Sequence, residues 1–350
     1  METTQTLRHT TCKDVAFGDD HMSEGFLVPL NDGKVMMIFR RSPGIRGDHS
    51  GTPACVARTT YDPSTDRWSK IDTVYNSNSY DDRNIHGGIT RDGRIVVFFR
   101  SYNGSTVGRY FIYSDDQGVT WSDLQTSSVL DGCQGTGQMF FNPAINKYCT
   151  LQYTETQVEI LYSDNGSSWD QSNIILEGAD FEVSEIAGAW CGGNRMVALM
   201  RDDQHKLGHP LLQATSLDNG KTWSQLQPTN IPPDRHWGCA PQLYYDQKRD
   251  MIIALNSDRY TRPDAENALF VYTARFDDIQ NAPQSWTFQL DIPRPWAQPE
   301  LAKDRPLNES LYGYPTIAPI DEDQYLVVFT ERARMHGTEQ ADLYYFRLIL

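Results

Sequence analysis

Ser114-Asp115-Asp116-Gln117-Gly118-Val119-Thr120-Trp121 returns 102 residues later as Ser216-Leu217-Asp218-Asn219-Gly220-Lys221-Thr222-Trp223. A copy one residue shorter is Ser163-Asp164-Asn165-Gly166-Ser167-Ser168-Trp169, and Thr60-Tyr61-Asp62-Pro63-Ser64-Thr65-Asp66-Arg67-Trp68 is a degraded one. Ser285-Trp286 ends a candidate fifth. The tryptophans fall at 68, 121, 169, 223 and 286, a period of roughly fifty residues. Such a period marks a fold built from one repeated supersecondary unit. In each copy the Asp side chain is placed to bond backbone amides and the Gly to take positive φ, which makes a tight hairpin turn. The Trp then anchors that turn to its sheet.

An apolar strand precedes each turn, as in Gly108-Arg109-Tyr110-Phe111-Ile112-Tyr113, and a second lies upstream of it, as in Gly93-Arg94-Ile95-Val96-Val97-Phe98-Phe99. Asn194–Met200 and Gly33–Phe39 repeat the upstream strand. About four strands per fifty residues is the content of a propeller blade. Over 350 residues with some long loops, six blades fit better than seven. The spacing therefore predicts an all-β fold, a six-bladed β-propeller of four-stranded antiparallel blades, as a single domain over residues 1–350. Gln324–Phe329 and Leu343–Leu348 belong to the last blade, and a strand near Thr11–Phe17 closes the ring.

The net charge of −15 and the lack of any basic patch argue against nucleic-acid binding. No run of 18 apolar residues is present, so no membrane helix is expected. The opening Met1-Glu2-Thr3-Thr4-Gln5 lacks the basic and apolar regions of a leader, which leaves localisation open. Six scattered cysteines without a C-x-x-C pair read as reduced, buried thiols rather than as a metal site or disulfide framework. No cofactor and no metal-ligand cluster is expected. A propeller rim could still hold calcium through backbone carbonyls, which leave no mark in a sequence.

The repeated turn is similar to the Asp box, and the chain resembles the sialidase (neuraminidase) superfamily over nearly its full length. The boxes themselves staple outer turns, so function rests on the loops around the axis. Four stretches carry the resemblance. Ile45-Arg46-Gly47-Asp48-His49-Ser50-Gly51 resembles the loop whose Asp is the general acid/base, implying that role for Asp48. Ser184-Glu185 lies sixteen positions before Arg201, the separation at which sialidases carry the Glu that activates the nucleophile and an Arg that binds the substrate carboxylate. Glu182 is a rival for Glu185. Asn256-Ser257-Asp258-Arg259-Tyr260-Thr261-Arg262 occupies the place of a second carboxylate-binding Arg, either Arg259 or Arg262. Leu311-Tyr312-Gly313-Tyr314-Pro315-Thr316 resembles the segment of the nucleophilic Tyr, with Tyr314 preferred to Tyr312. A phenol suits an anomeric carbon that bears a carboxylate, and it needs a nearby base because its ordinary pKa is near 10.

The resemblance fails at one corner. Sialidases carry an Arg-Ile-Pro segment that supplies the first of three carboxylate-binding arginines. Its place here reads His21-Met22-Ser23-Glu24-Gly25, with Ser23 at the expected position. One missing guanidinium implies roughly ten- to a hundredfold weaker binding of simple α-sialosides. Arg40, Arg83, His86 and Trp237 are further substrate-binding candidates, since charge and aromatic faces around an axis suit an acidic saccharide. The expected activity is retaining cleavage of a terminal acidic sugar. Two alternatives stand beside it: a divergent polysaccharide-cleaving propeller (endo-hydrolase or lyase), and a non-catalytic saccharide-binding propeller.

Overall fold

The structure, a computed structural model, describes residues 7–16, 20–42, 53–130, 134–154, 157–178, 182–203, 210–232, 237–258, 267–293, 311–335 and 338–350. It is a ring of six antiparallel blades. Blade 1 holds His21–Pro29, Val35–Ser42 and Cys55–Asp62, with Arg67–Trp68 and Asp72–Tyr75 both on its outer edge. Blade 2 holds Asp81–Ile89, Ile95–Tyr102 and Thr106–Ser114, and a bridge from Phe111 to Gln125 stands for its fourth strand. Blade 3 is Phe140–Asn142, Lys147–Tyr153, Gln157–Ser163 and Gln171–Glu177. Blade 4 is Val183–Trp190, Met196–Asp202, Leu212–Ser216 and Gln227–Pro228. Blade 5 is Gly238–Asp246, Met251–Asp258, Asn267–Ala274 and Thr287–Pro293. Blade 6 is Leu311–Pro319, Gln324–Met335 and Thr338–Ile349, and Arg8–His9 and Lys13–Ala16 pair with its last strand to close the ring.

The ring shape follows from how apolar side chains alternate. Ile252 and Ala254 pack toward blade 4, while Ile253 and Leu255 on the same strand pack toward blade 6. Val96 and Phe98 likewise face blade 3, and Ile95, Val97 and Phe99 face blade 1. A strand buried on both faces reads as a continuous apolar run, which is why the second strand of each blade is so apolar. Six such seams result, the last joining Leu326 and Val328 of blade 6 to Met37 and Phe39 of blade 1.

The repeated turns adopt one geometry. Asp116 accepts the Thr120 backbone N–H at 2.8 Å and the Thr120 hydroxyl at 2.6 Å, and Asp218 accepts the same groups of Thr222 at the same distances. Gly118 and Gly220 each stand at φ 83°, a conformation that favours glycine. In the shortened copy Asn165 takes the Asp role, and Trp169 is buried in the seam of blades 2 and 3. The candidate fifth copy differs. A one-turn helix, Phe276–Ile279, precedes it, and buried Trp286 donates to Gln213 Oε1 at 2.8 Å. All five described cysteines are buried.

Candidate active site

Five inner strands break register at one depth. The shifts fall between Ser23 and Gly25, Arg83 and His86, Ser184 and Ile186, Cys239 and Gln242, and Gly313 and Thr316. Each break places a residue in the left-handed region: Glu24 at φ 49°, Asn84 at 54°, Glu185 at 43°, Ala240 at 44° and Tyr314 at 57°. A bulge of this kind bends the strand and re-aims its side chain. Non-glycine residues seldom adopt positive φ. Its recurrence at Ala240 and Asn84 makes the bulge part of the architecture. Chemistry depends on which side chain occupies it.

The bulges are linked around the ring. Glu24 Oε2 accepts the Asn84 N–H of the next blade at 2.5 Å, and Glu185 Oε2 accepts the Ala240 N–H of the next blade at 2.9 Å. The Tyr153 hydroxyl of blade 3 lies near the Glu185 backbone. Each carboxylate is nearly buried, at 2% and 4% exposure, so these are charge-assisted bonds in a poorly solvated place.

Arg201 stands beside Glu185. Its Nη1 lies 3.1 Å from Glu185 Oε2, its Nε lies 2.7 Å from Asp203 Oδ1, and its guanidinium stacks 4.3 Å over the Trp237 ring. Trp237 donates to the Asp202 carbonyl at 3.4 Å, which fixes the ring under the guanidinium. Two predicted residues, Arg201 and Trp237, are thus brought together with Glu185. Tyr314 is half-buried, and it and Glu185 both act on Tyr153. Burial first, then the charges of Glu185 and Tyr314, push the Tyr153 hydroxyl far above the ordinary phenol range. Tyr314 also acts on Arg83, which burial lowers and Glu24, Asp81 and Tyr314 together raise.

The remaining candidates divide. Arg83 Nη2 lies 3.7 Å from Glu24 Oε1, and its guanidinium sits 5.5 Å from the Tyr102 ring. Arg40 has no exposed surface. It donates to Asp81 Oδ1 at 2.7 Å and meets His21 Nδ1 at 3.0 Å. His86 is buried and stacked on Phe98 at 5.1 Å, and burial pulls its pKa down to about 4, so it is neutral at pH 7. Asp48, Arg259 and Arg262 lie outside the described residues, and nothing is described of the Tyr312 side chain. Glu182 is exposed, whereas Glu185 is buried. Ser23, where the sequence count places the absent arginine, is fully buried, and the bulge one residue on belongs to Glu24. Glu24 thus pairs with Arg83 instead of standing alone. Tyr153 and Asp81 were not singled out as site residues. A Tyr ending an apolar strand carries no signal of its own, because its role comes from the neighbouring blade.

A cavity of about 610 Å³ opens at the opposite end of the channel, lined by Leu27, Phe140, Phe141, Trp190, Tyr244 and Pro319 among others. Its lining includes no carboxylate and one charged side chain, Arg91, so it offers no carboxylic acid or base. Among the described residues no cluster of His, Cys, Asp and Glu could hold a metal ion, and no helix is long and apolar enough to cross a membrane.

No family model matches the chain, and no curated protein matches it in sequence. Solved structures do resemble it. A protein of unknown function from Dyadobacter fermentans superposes with a TM-score of 0.80 at 14% identity, covering 99% of both chains. The NanB sialidase from Streptococcus pneumoniae gives 0.68 at 13% identity, covering 97% of this chain and 71% of that one. The intramolecular trans-sialidase from Ruminococcus gnavus gives 0.66 at 12% identity, covering 94% of each. At such identities the likeness is one of fold, a six-bladed propeller shared with sialidases.

Proposed function

We propose that the protein is a retaining glycoside hydrolase of sialidase type that cleaves a terminal acidic sugar. The observation that carries this reading is the pair of equivalent bulges at Glu185 and Tyr314, on blades 4 and 6, both acting on Tyr153 at one mouth of the channel. In this reading the Tyr314 hydroxyl attacks the anomeric carbon and its proton passes to Glu185. The glycosidic C–O bond breaks as Asp48 gives its proton to the leaving oxygen. Water then opens the glycosyl–tyrosine bond, with Asp48 taking the water proton and Glu185 returning one to Tyr314. Arg83, in electrostatic reach of Tyr314, favours the phenolate that develops as the proton leaves. Arg201, held flat on Trp237, orients the sugar carboxylate together with Arg259 or Arg262.

One observation favours a second reading. Arg201 already faces two carboxylates, Glu185 and Asp203, which leaves it less able to take a third. That arrangement suits a propeller that cleaves acidic polysaccharide internally with another residue set. A panel of fluorogenic aryl glycosides, sialosides among them, run beside acidic polysaccharides tests both. Release of fluorophore from an acidic aryl glycoside supports the first reading. Chain shortening of a polymer with no aryl glycoside cleaved supports the second.

A further inference from the structure

Blade 2 carries three arginines side by side. Arg83 stands directly opposite Arg100, and Arg100 directly opposite Arg109, across three neighbouring strands. Opposed residues in an antiparallel ladder share a face, and like charges there repel. With strands about 4.8 Å apart, the row spans about 10 Å. Arg100 alternates in phase with Phe98, which packs toward blade 3, so the row lies over the seam of blades 2 and 3. Its inner end is in reach of Tyr314, and its middle is in reach of Tyr153.

The middle arginine has no contact ion pair among the described residues, and the Glu24 carboxylate acts on it only from a distance. Arg83 has Glu24 at 3.7 Å and Asp81 at 3.6 Å, both beyond hydrogen-bond distance. Arg100 bonds the Thr106 hydroxyl at 3.0 Å and lies 5.1 Å from the Tyr102 ring, and among the described residues it has no carboxylate partner. Its Nε is buried without a hydrogen-bond partner. Burial, and after it the charge of Arg83, pulls the guanidinium below its ordinary value. A cation with no carboxylate in contact among the described residues, standing opposite two other arginines in a chain of net charge −15, is placed to take an anion from outside.

We infer that Arg100, with Arg83 and the Tyr102 ring between them, forms a subsite for a second anionic group on the glycan, a sulfate ester or a further carboxylate. The inference rests on the reading of the Tyr314 mouth as a glycosidase centre. Arg201 serves one acidic group on the blade 4 side, and Arg100 serves another on the blade 2 side. A guanidinium fork suits either oxyanion. The shared substrate class is a glycan with two acidic groups.

Calorimetric titration of the Tyr314→Phe protein, which binds without turnover, tests this with sialyllactose, a sulfated sialyllactose and disialyllactose. The result expected is that a second anion tightens binding about ten- to a hundredfold. The advantage falls with added salt and disappears in Arg100→Gln. Arg100→Lys, which keeps charge but not the fork, retains part of it. Whichever of the sulfated and disialyl probes gains more identifies the source of the anion. Arg100→Gln relieves repulsion in the ladder, so its fold survives, and circular dichroism checks this. No advantage for either doubly charged probe, no binding of any probe, or an advantage that persists in Arg100→Gln overturns the inference. An Arg100-dependent advantage in a protein that cleaves none of the aryl glycosides upholds the subsite and removes the catalytic reading.

Discussion

Substitutions at Glu185 separate its structural role from its chemical one. Its Oε2 accepts the Ala240 N–H at 2.9 Å and faces Arg201 at 3.1 Å, with the residue 4% exposed. In Glu185→Gln the amide oxygen still accepts the Ala240 N–H, and Arg201 keeps Asp203 at 2.7 Å. The loss is one charge-assisted contact, about 1–3 kcal/mol. Glu185→Ala removes both contacts and orphans a buried N–H, which costs about 3–5 kcal/mol. Over 350 residues the unfolding entropy is about 0.7 kcal/mol/K, so Tm falls by about 1.5–4 °C for Gln and about 4–7 °C for Ala. Turnover behaves otherwise. In the proposed mechanism both variants lose the base that activates Tyr314, so kcat on an aryl acidic glycoside is expected to drop at least about a hundredfold in each. Scanning calorimetry and initial rates on the same preparations measure the two effects. A Gln variant that keeps wild-type turnover refutes the base assignment. Equal melting losses for Gln and Ala refute the latch between blades 4 and 5.

Asp81→Asn leaves Arg40 a buried charge without its 2.7 Å partner and should cost about 3–5 kcal/mol, read as a Tm about 4–7 °C lower that salt does not restore. His86 binds a proton only below about pH 4 in the folded protein, whereas in the unfolded chain it does so below about pH 6.5. Stability is therefore lost as pH falls from about 6.5 to 4, by about 3 kcal/mol for this group, and His86→Phe should flatten the Tm–pH curve in that window. An unchanged slope would remove His86 from the account. Ser23→Arg forces a guanidinium into a fully buried site opposite Arg40, so it should destabilise the protein instead of restoring sialoside binding, and a well-folded variant with tighter sialoside binding would contradict that placement.

The ring was legible because its unit repeats. The Asp116 and Asp218 turns, the tryptophans behind them and the doubly buried second strands are local patterns, and each survives in the structure with the same hydrogen bonds. The candidate site was less so. Glu185, Arg201 and Trp237 converge because blades 4 and 5 are neighbours, and the sequence shows their spacing but not which way each points. The bulges decide that. A one-residue register shift moves the axis-facing position from Ser23 to Glu24, and no composition or periodicity marks it. Arg40 reads as a ligand-binding cation at a strand end, yet its partner Asp81 sits on the next blade, 41 residues away. The arginine row of blade 2 is hidden for the same reason, since Arg83, Arg100 and Arg109 become neighbours only through strand pairing.

Trapping the covalent intermediate tests the central claim most directly. An acidic glycosyl fluoride with fluorine next to its anomeric carbon slows both steps, and intact-mass and peptide mass spectrometry then locate the sugar. The account predicts a single glycosyl adduct on the peptide that contains Tyr314, absent from Tyr314→Phe. Turnover of an acidic aryl glycoside with no adduct on Tyr314, or with the adduct on another residue, would contradict it.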